Sequence, residues 1–178
     1  MTLLNWNDPA DSVSNPDMRV PIAATACVML SALSWFGCGP PGDVSRDVRV
    51  QTVSSGWVDE GLVHGKKKLV PTISVTLQNA SGRKLTMLQM NALFHRVGDD
   101  DEWGTGFVTV TGSEGLAPGG ATAVSVKSPL GYTGTESGQA MLANSQFVDA
   151  SVDLFARYGS TQWTRLGQYR VSRQLLAR

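Results

Sequence analysis

One uncharged run, residues 20–38 (VPIAATACVMLSALSWFGC), constrains this chain more than any other stretch. A bilayer's hydrocarbon core of about 30 Å takes about 20 mostly apolar residues at a helical rise of roughly 1.5 Å each. The nineteen residues of the run meet that requirement at its lower edge. The sequence therefore predicts one transmembrane helix, with Val20, Leu30, Leu33, Trp35 and Phe36 as membrane anchors. Trp35 and Phe36 fall near its far end, where aromatic rings favour the interface, and Arg19 stands at its near end, where a cation stays among headgroups. Ala23, Ala24, Ala26, Ser31, Ala32 and Ser34 permit close approach of a neighbouring helix, the usual device where lipid supplies no hydrophobic drive.

The same run admits a second reading. Starting from Met18, a short charged segment, an apolar core and Cys38 after a small residue follow the layout of a bacterial lipoprotein signal. Trp35 stands where such signals usually carry Leu, and Phe36 where a small residue is usual, so the uncleaved span is preferred and lipidation at Cys38 is the alternative. Either way the rest of the chain is delivered to the outer face of a bacterial inner membrane, or the adjoining periplasm. The two cysteines, Cys27 and Cys38, both lie in the run. Eleven helical residues separate them by roughly 16 Å, beyond disulfide reach, so the domain that follows must fold without a disulfide.

Around the run the chain divides simply. Residues 1–19 form a polar tail with Pro9, Pro16 and three Asp, expected to be irregular and on the cytoplasmic side. Trp6 is its candidate partner contact. Residues 39–46 form a linker in which Pro40 and Pro41 stop the helix. Residues 47–178, about 130 in number, suffice for one periplasmic domain. Lys plus Arg equals Asp plus Glu at 15 each, so no net field recruits nucleic acid.

Within that domain the hydrophobic period is two. Val48, Val50 and Thr52 alternate with Arg49 and Gln51, and Ile73, Val75 and Leu77 alternate with Ser74 and Thr76, each as in a half-buried strand. Residues 54–68, with Gly56, Gly61, Gly65 and three lysines, read as a long connection or irregular hairpin. Alternation continues at Leu88, Met90, Ala92 and Phe94, where helical spacing also fits but a preceding turn favours a strand. After an acidic turn, residues 99–102, come strands around Val108, Val124 and Val152, and a last strand or pair over Trp163 to Val171. One helical turn is expected near residues 139–142. Strands spaced by such turns, with no long amphipathic helix between, predict a mainly β fold, an antiparallel sandwich.

The run ISVTLQNASGRKL, a strand ending ALFHRV, and GLAPGG before a strand resemble the immunoglobulin-like domains of bacterial envelope proteins grouped as FxLYD-type. The resemblance implies an antiparallel immunoglobulin-like β-sandwich preceded by one transmembrane helix, used for binding or scaffolding. The whole layout is similar to accessory subunits of bioenergetic membrane complexes, including bacterial reaction centre–light-harvesting assemblies. That likeness implies integral membrane subunits and membrane lipid as partners, and an accessory, non-enzymatic role.

Residues that could carry chemistry are few. His64 and His95 are the only histidines, and no His-Glu-x-x-His, paired Cys-x-x-Cys or Gly-x-Ser-x-Gly occurs. Asp99, Asp100, Asp101 and Glu102 lack the spacing and central Gly of a calcium loop and suit a solvated turn better. No catalytic residue, metal site or cofactor is expected. Two features could bind partners. Lys66, Lys67 and Lys68 could meet anionic headgroups, and the glycine-rich loop 131–138, with Tyr132 as its one large ring, is the preferred protein contact.

Overall fold

A computed structural model describes residues 42–177, which form two antiparallel sheets packed as a sandwich. A single helical turn, α1 (Val44–Asp47), leads into β1 (Val48–Val63), β2 (Lys66–Asn79), β3 (Gln89–Arg96), β4 (Glu102–Thr109) and β5 (Ala121–Lys127). Then come β6 (Tyr132–Gly134), the short helix α2 (Gly138–Ala143), β7 (Ala150–Arg157) and β8 (Thr164–Arg170). One sheet is ordered β1-β2-β5, with β6 added to the start of β2, and the other is ordered β4-β3-β7-β8. The predicted span, the tail and Cys38 lie outside the described residues. Among those described, no helix is long and apolar enough to cross a membrane.

Alternation along the strands builds the core. In β2 the side chains of Ile73, Val75 and Leu77 are buried while Ser74, Thr76 and Gln78 reach solvent. Met90, Ala92 and Phe94 of β3 and Val152, Leu154 and Ala156 of β7 close the core from the opposite sheet. The ambiguous segment before β3 resolves through its backbone: Met87 adopts φ 54°, which breaks any helix, and Leu85 and Leu88 enter the core on either side of it. The expected helical turn is α2, capped by the Ser137 hydroxyl, which accepts from Ala140 N.

Of the two forms the sequence allows for residues 54–68, a long connection or an irregular hairpin, the structure has the hairpin. These residues form the outer half of β1, a two-residue turn at His64 and Gly65, and the start of β2. Both turn residues have positive φ, 51° and 74°, the twist that a tight hairpin requires. The other two glycines serve other purposes. Gly61 sits in a bulge where the register slips between Asp59 and Leu62, and Gly56 leaves room for residues 174–176 to lie against β1. There Leu175 bridges Trp57 in parallel, Trp57 N donates to Gln174 O at 2.8 Å, and Leu176 N donates to Trp57 O at 2.9 Å.

The strand directions give the sandwich two ends. At the near end, where residue 42 joins, Val48 pairs with Asn79. At the far end lies the His64–Gly65 turn, about 40 Å away along the fourteen residues of β2. In the stretch that leads into β1, Val44 is buried, and Asp47 holds Arg83 and Tyr158.

Candidate functional site

The far end brings together the predicted contact residues. β6 pairs with β2 so that Lys67 faces Gly134, Lys68 faces Thr133 and Leu69 faces Tyr132. Lys67 Nζ lies 3.0 Å from Asp59 Oδ2, and Lys68 Nζ donates to Pro129 O at 2.8 Å, while Lys66 is exposed. Tyr132 is half-buried. Its ring stacks on Trp57 at 5.6 Å and meets Trp103 and Phe147, each at 4.9 Å. Burial raises its phenol pKa, with Asp149 adding and Arg96 opposing. The hydroxyl donates to Val148 O at 3.2 Å, leaving one edge of the ring on a cavity of about 310 Å³ that Glu136, Met141, Gln146 and Phe147 also line.

The four rings form an aromatic cluster that no sequence motif marks, because Trp57 and Phe147 lie ninety positions apart. Exposed apolar side chains surround it. Leu62, at 71% exposure, and Leu130, at 50%, flank the lysines, and Val97 and Val148 are also exposed at this end. Exposed apolar groups rimmed by charge are the composition expected of a contact surface.

A second cluster lies on the outer face of the β4-β3-β7-β8 sheet. His95 stands opposite Ser151 in register, with Asp153 two residues further along β7. These are the three side chains of a hydrolytic triad, but their orientation is wrong for one. Nε2 of His95 faces Asp153 Oδ2 at 3.6 Å and Nδ1 lies 3.2 Å from Asp101 O. With both ring nitrogens set against acceptors, neither is placed to take a proton from Ser151. Asp153 also receives Arg165 Nε and Nη2, so the cluster is an ion network. Beside it, Phe107 is 56% exposed and touches Trp163 edge-on at 6.2 Å, and the Arg157 guanidinium lies 4.7 Å over the Trp163 ring.

The acidic turn is tied locally. Backbone N–H of Asp101 and the Arg96 guanidinium both bond Asp99, which lowers its carboxyl pKa. Among the described residues no three His, Cys, Asp or Glu side chains are grouped to hold a metal ion.

At the near end the buried side chain of Asn79 joins two turns. Its Nδ2 donates to Arg83 O at 2.7 Å and Leu116 O at 2.8 Å, and its Oδ1 accepts from Ser81 N at 2.9 Å and Ser81 Oγ at 2.7 Å. The Asn-Ala-Ser-Gly and Leu-Ala-Pro-Gly turns noted in the sequence are thus one unit. Nearby, Tyr158 Oη donates to Asp47 Oδ2 at 2.5 Å and Arg83 Nη2 bonds the same carboxylate at 3.1 Å. Burial and then the Asp47 carboxylate raise the Tyr158 phenol pKa.

Of the residues singled out by sequence, Tyr132, Lys66, Lys67 and Lys68 share the far end, while Trp6, Val20, Leu30, Leu33, Trp35, Phe36 and Cys38 lie outside the described residues. No family model matches the sequence, and no curated protein matches it. A solved X-ray structure, Northeast Structural Genomics Consortium target SoR45, is similar with a TM-score of 0.43 and 11% identity, over 73% of this chain and 89% of that one.

Proposed function

We propose that this chain is a non-catalytic accessory subunit of a bacterial membrane complex, anchored by one span over residues 20–38 with its sandwich in the periplasm. The observation that carries the reading is the uncharged run itself, separated from the first described residue by residues 39–41 alone. Its small residues suit packing against a neighbouring integral subunit. The far end, with exposed Leu62 and Leu130 beside Lys66 and the Tyr132 loop, is the surface offered to that complex. A bioenergetic assembly such as a reaction centre–antenna complex is the partner class its layout suggests. The arrangement of His95 supports a non-enzymatic role, since a base needs one ring nitrogen turned to the nucleophile.

An immunoglobulin-like assignment belongs to the same proposal. The orders β1-β2-β5 and β4-β3-β7-β8 match strands A-B-E facing C′-C-F-G, which supports it. The turns joined by Asn79 are what favours the FxLYD-type envelope group. A second reading, a lipoprotein anchored at Cys38 with a ligand-binding or trafficking role, is favoured by the Gly37–Cys38 pair at the end of the apolar run.

Intact mass and extraction of membranes at alkaline pH test both. A chain that retains residues 1–37 and resists extraction supports the span, and an acylated Cys38 at a new N-terminus supports the lipoprotein. Release into the aqueous fraction without an acyl chain refutes both. Co-purification in mild detergent then identifies the complex.

A further inference from the structure

We propose that the cavity between α1, the start of β1 and β8 binds a phosphate-type oxyanion, presented by the headgroup of an anionic lipid. The cavity holds about 360 Å³ and is lined by Arg46 of α1, Arg49 of β1 and Arg165 of β8, with Val50, Leu166 and Tyr169 as its less polar wall. That volume is within the range of small-ligand sites, about 300–1,000 Å³. Arginine residues from three separate elements line it, and no acidic residue does.

The neighbouring acids are occupied elsewhere. Asp43 accepts from Ser45 N and Ser45 Oγ, Asp47 holds Arg83 and Tyr158, and Asp153 is shared by Arg165, His95 and Gln168. Arg165 therefore enters the cavity wall already oriented by a carboxylate. Among the described residues neither Arg46 nor Arg49 makes a close ion pair; the Ser45 hydroxyl and, more weakly, the Arg46 charge lower the Asp43 carboxyl pKa, which leaves Arg49 the less engaged of the two and open to an incoming anion. Guanidinium forks match the oxygens of a phosphate in pairs, and the flanking Val50 and Leu166 suit the glycerol and first methylenes of a lipid better than a fully hydrated ion.

Position favours a lipid as the source. In the sequence Arg46 and Arg49 follow the end of the predicted span by eight and eleven residues, whereas Lys66, Lys67 and Lys68 sit at the far end of the sandwich, with Lys67 held by Asp59 and Lys68 by Pro129 O. The headgroup contact expected of those lysines is better served by the arginines. The lipid source rests on the membrane-anchored reading, whereas the oxyanion chemistry of the cavity does not.

The test uses the full chain in neutral detergent, titrated with dihexanoyl phosphatidylglycerol below its micelle concentration, sn-glycerol 3-phosphate and inorganic phosphate. Dihexanoyl phosphatidylcholine is the control, and arginine Nε–H resonances are the readout. Saturable shifts with phosphatidylglycerol are expected, weakened about five-fold by each of R46Q and R49Q and about 25-fold by the pair. A K66Q/K67Q/K68Q variant should bind as the parent does. Binding of inorganic phosphate without phosphatidylglycerol overturns the lipid source. No saturable shift with any probe, or an R46Q/R49Q variant that binds like the parent, overturns the site. Alkaline extraction of the parent chain reads anchoring separately: no probe binding with retained anchoring counts against the cavity alone, and probe binding with lost anchoring counts against the span alone.

Discussion

Replacing Asn79 by Ala should cost about 3 kcal/mol of folding stability, and the sum can be built from its contacts. Four side-chain hydrogen bonds disappear, each with a net value of about 0.5–1.5 kcal/mol, for an upper limit near 6 kcal/mol. Half of that is recovered. Leu116 O still accepts from Leu85 N at 3.0 Å, and the groups of Ser81 and Arg83 reach water. For a domain of this size such a loss lowers the melting temperature by about 10 °C, measurable by circular dichroism on the purified chain. N79D sharpens the test. Its carboxylate would keep the acceptor role towards Ser81 but face the carbonyls of Arg83 and Leu116, which raises its folded pKa above the unfolded value of about 3.9. The ionic penalty is then present in full above the folded pKa and vanishes below the unfolded one. N79D should therefore be less stable than N79A at pH 7 and approach or exceed it near pH 3. A loss under about 1 kcal/mol for N79A, or a pH-independent gap between the two variants, would refute the claim that this side chain joins the turns.

Three further outcomes follow from the structure. W57A removes a fully buried ring that touches Trp103, Tyr132 and Phe147 and should destabilise by about 3–5 kcal/mol, with loss of near-ultraviolet dichroism from the cluster. Burial raises the Asp149 carboxyl pKa, but hydrogen bonds from Arg173 and Arg170 lower it further, to a net position below the usual value. The resulting stability, about 1–2 kcal/mol because both guanidiniums reach solvent, is present above about pH 4 and lost as pH falls through the folded pKa; D149N should lack that acid-side loss in urea titrations. In G42A the new methyl group would collide with Tyr158 Oη and Arg83 Nη2, costing about 1–2 kcal/mol, and Y158F should relieve part of that cost in a double-mutant cycle.

The strands were legible because a half-buried sheet imposes a period of two, which β3, β5 and β7 carry throughout and β2 carries from Ile73 onward. The outer half of β1 was legible only as one of two alternatives, because Gly56 and Gly61 within it signal turns by composition while serving as a close approach and a bulge, and only Gly65 beyond it makes a turn. His-Gly also lacks the Asn-Gly signature of a tight hairpin. Side-chain function was still less visible. Tyr132 and the lysines were found as separate features, and their shared end follows only from the pairing of β6 with β2. Which aromatics are buried depends on topology, so Trp57 and Trp163 look alike in sequence although the first is enclosed and the second covers an outer sheet face. Arg46, Arg49 and Arg165 form no run, so only the fold places them around one cavity.

The strip of backbone that lies against Trp57 has a consequence for how the molecule is made. Gln174 Nε2 bonds Ser55 O across 119 positions, and Ser55 Oγ bonds Arg170 O across 115. Contacts so distant in sequence close late, since their loop entropy must be met before they return any stability. Until residues 170–176 have emerged, β1 has one flank unsealed and the sandwich is incomplete. Residues 170–176 therefore decide when the domain locks, and a chain shortened before residue 170 should stay open to protease along β1.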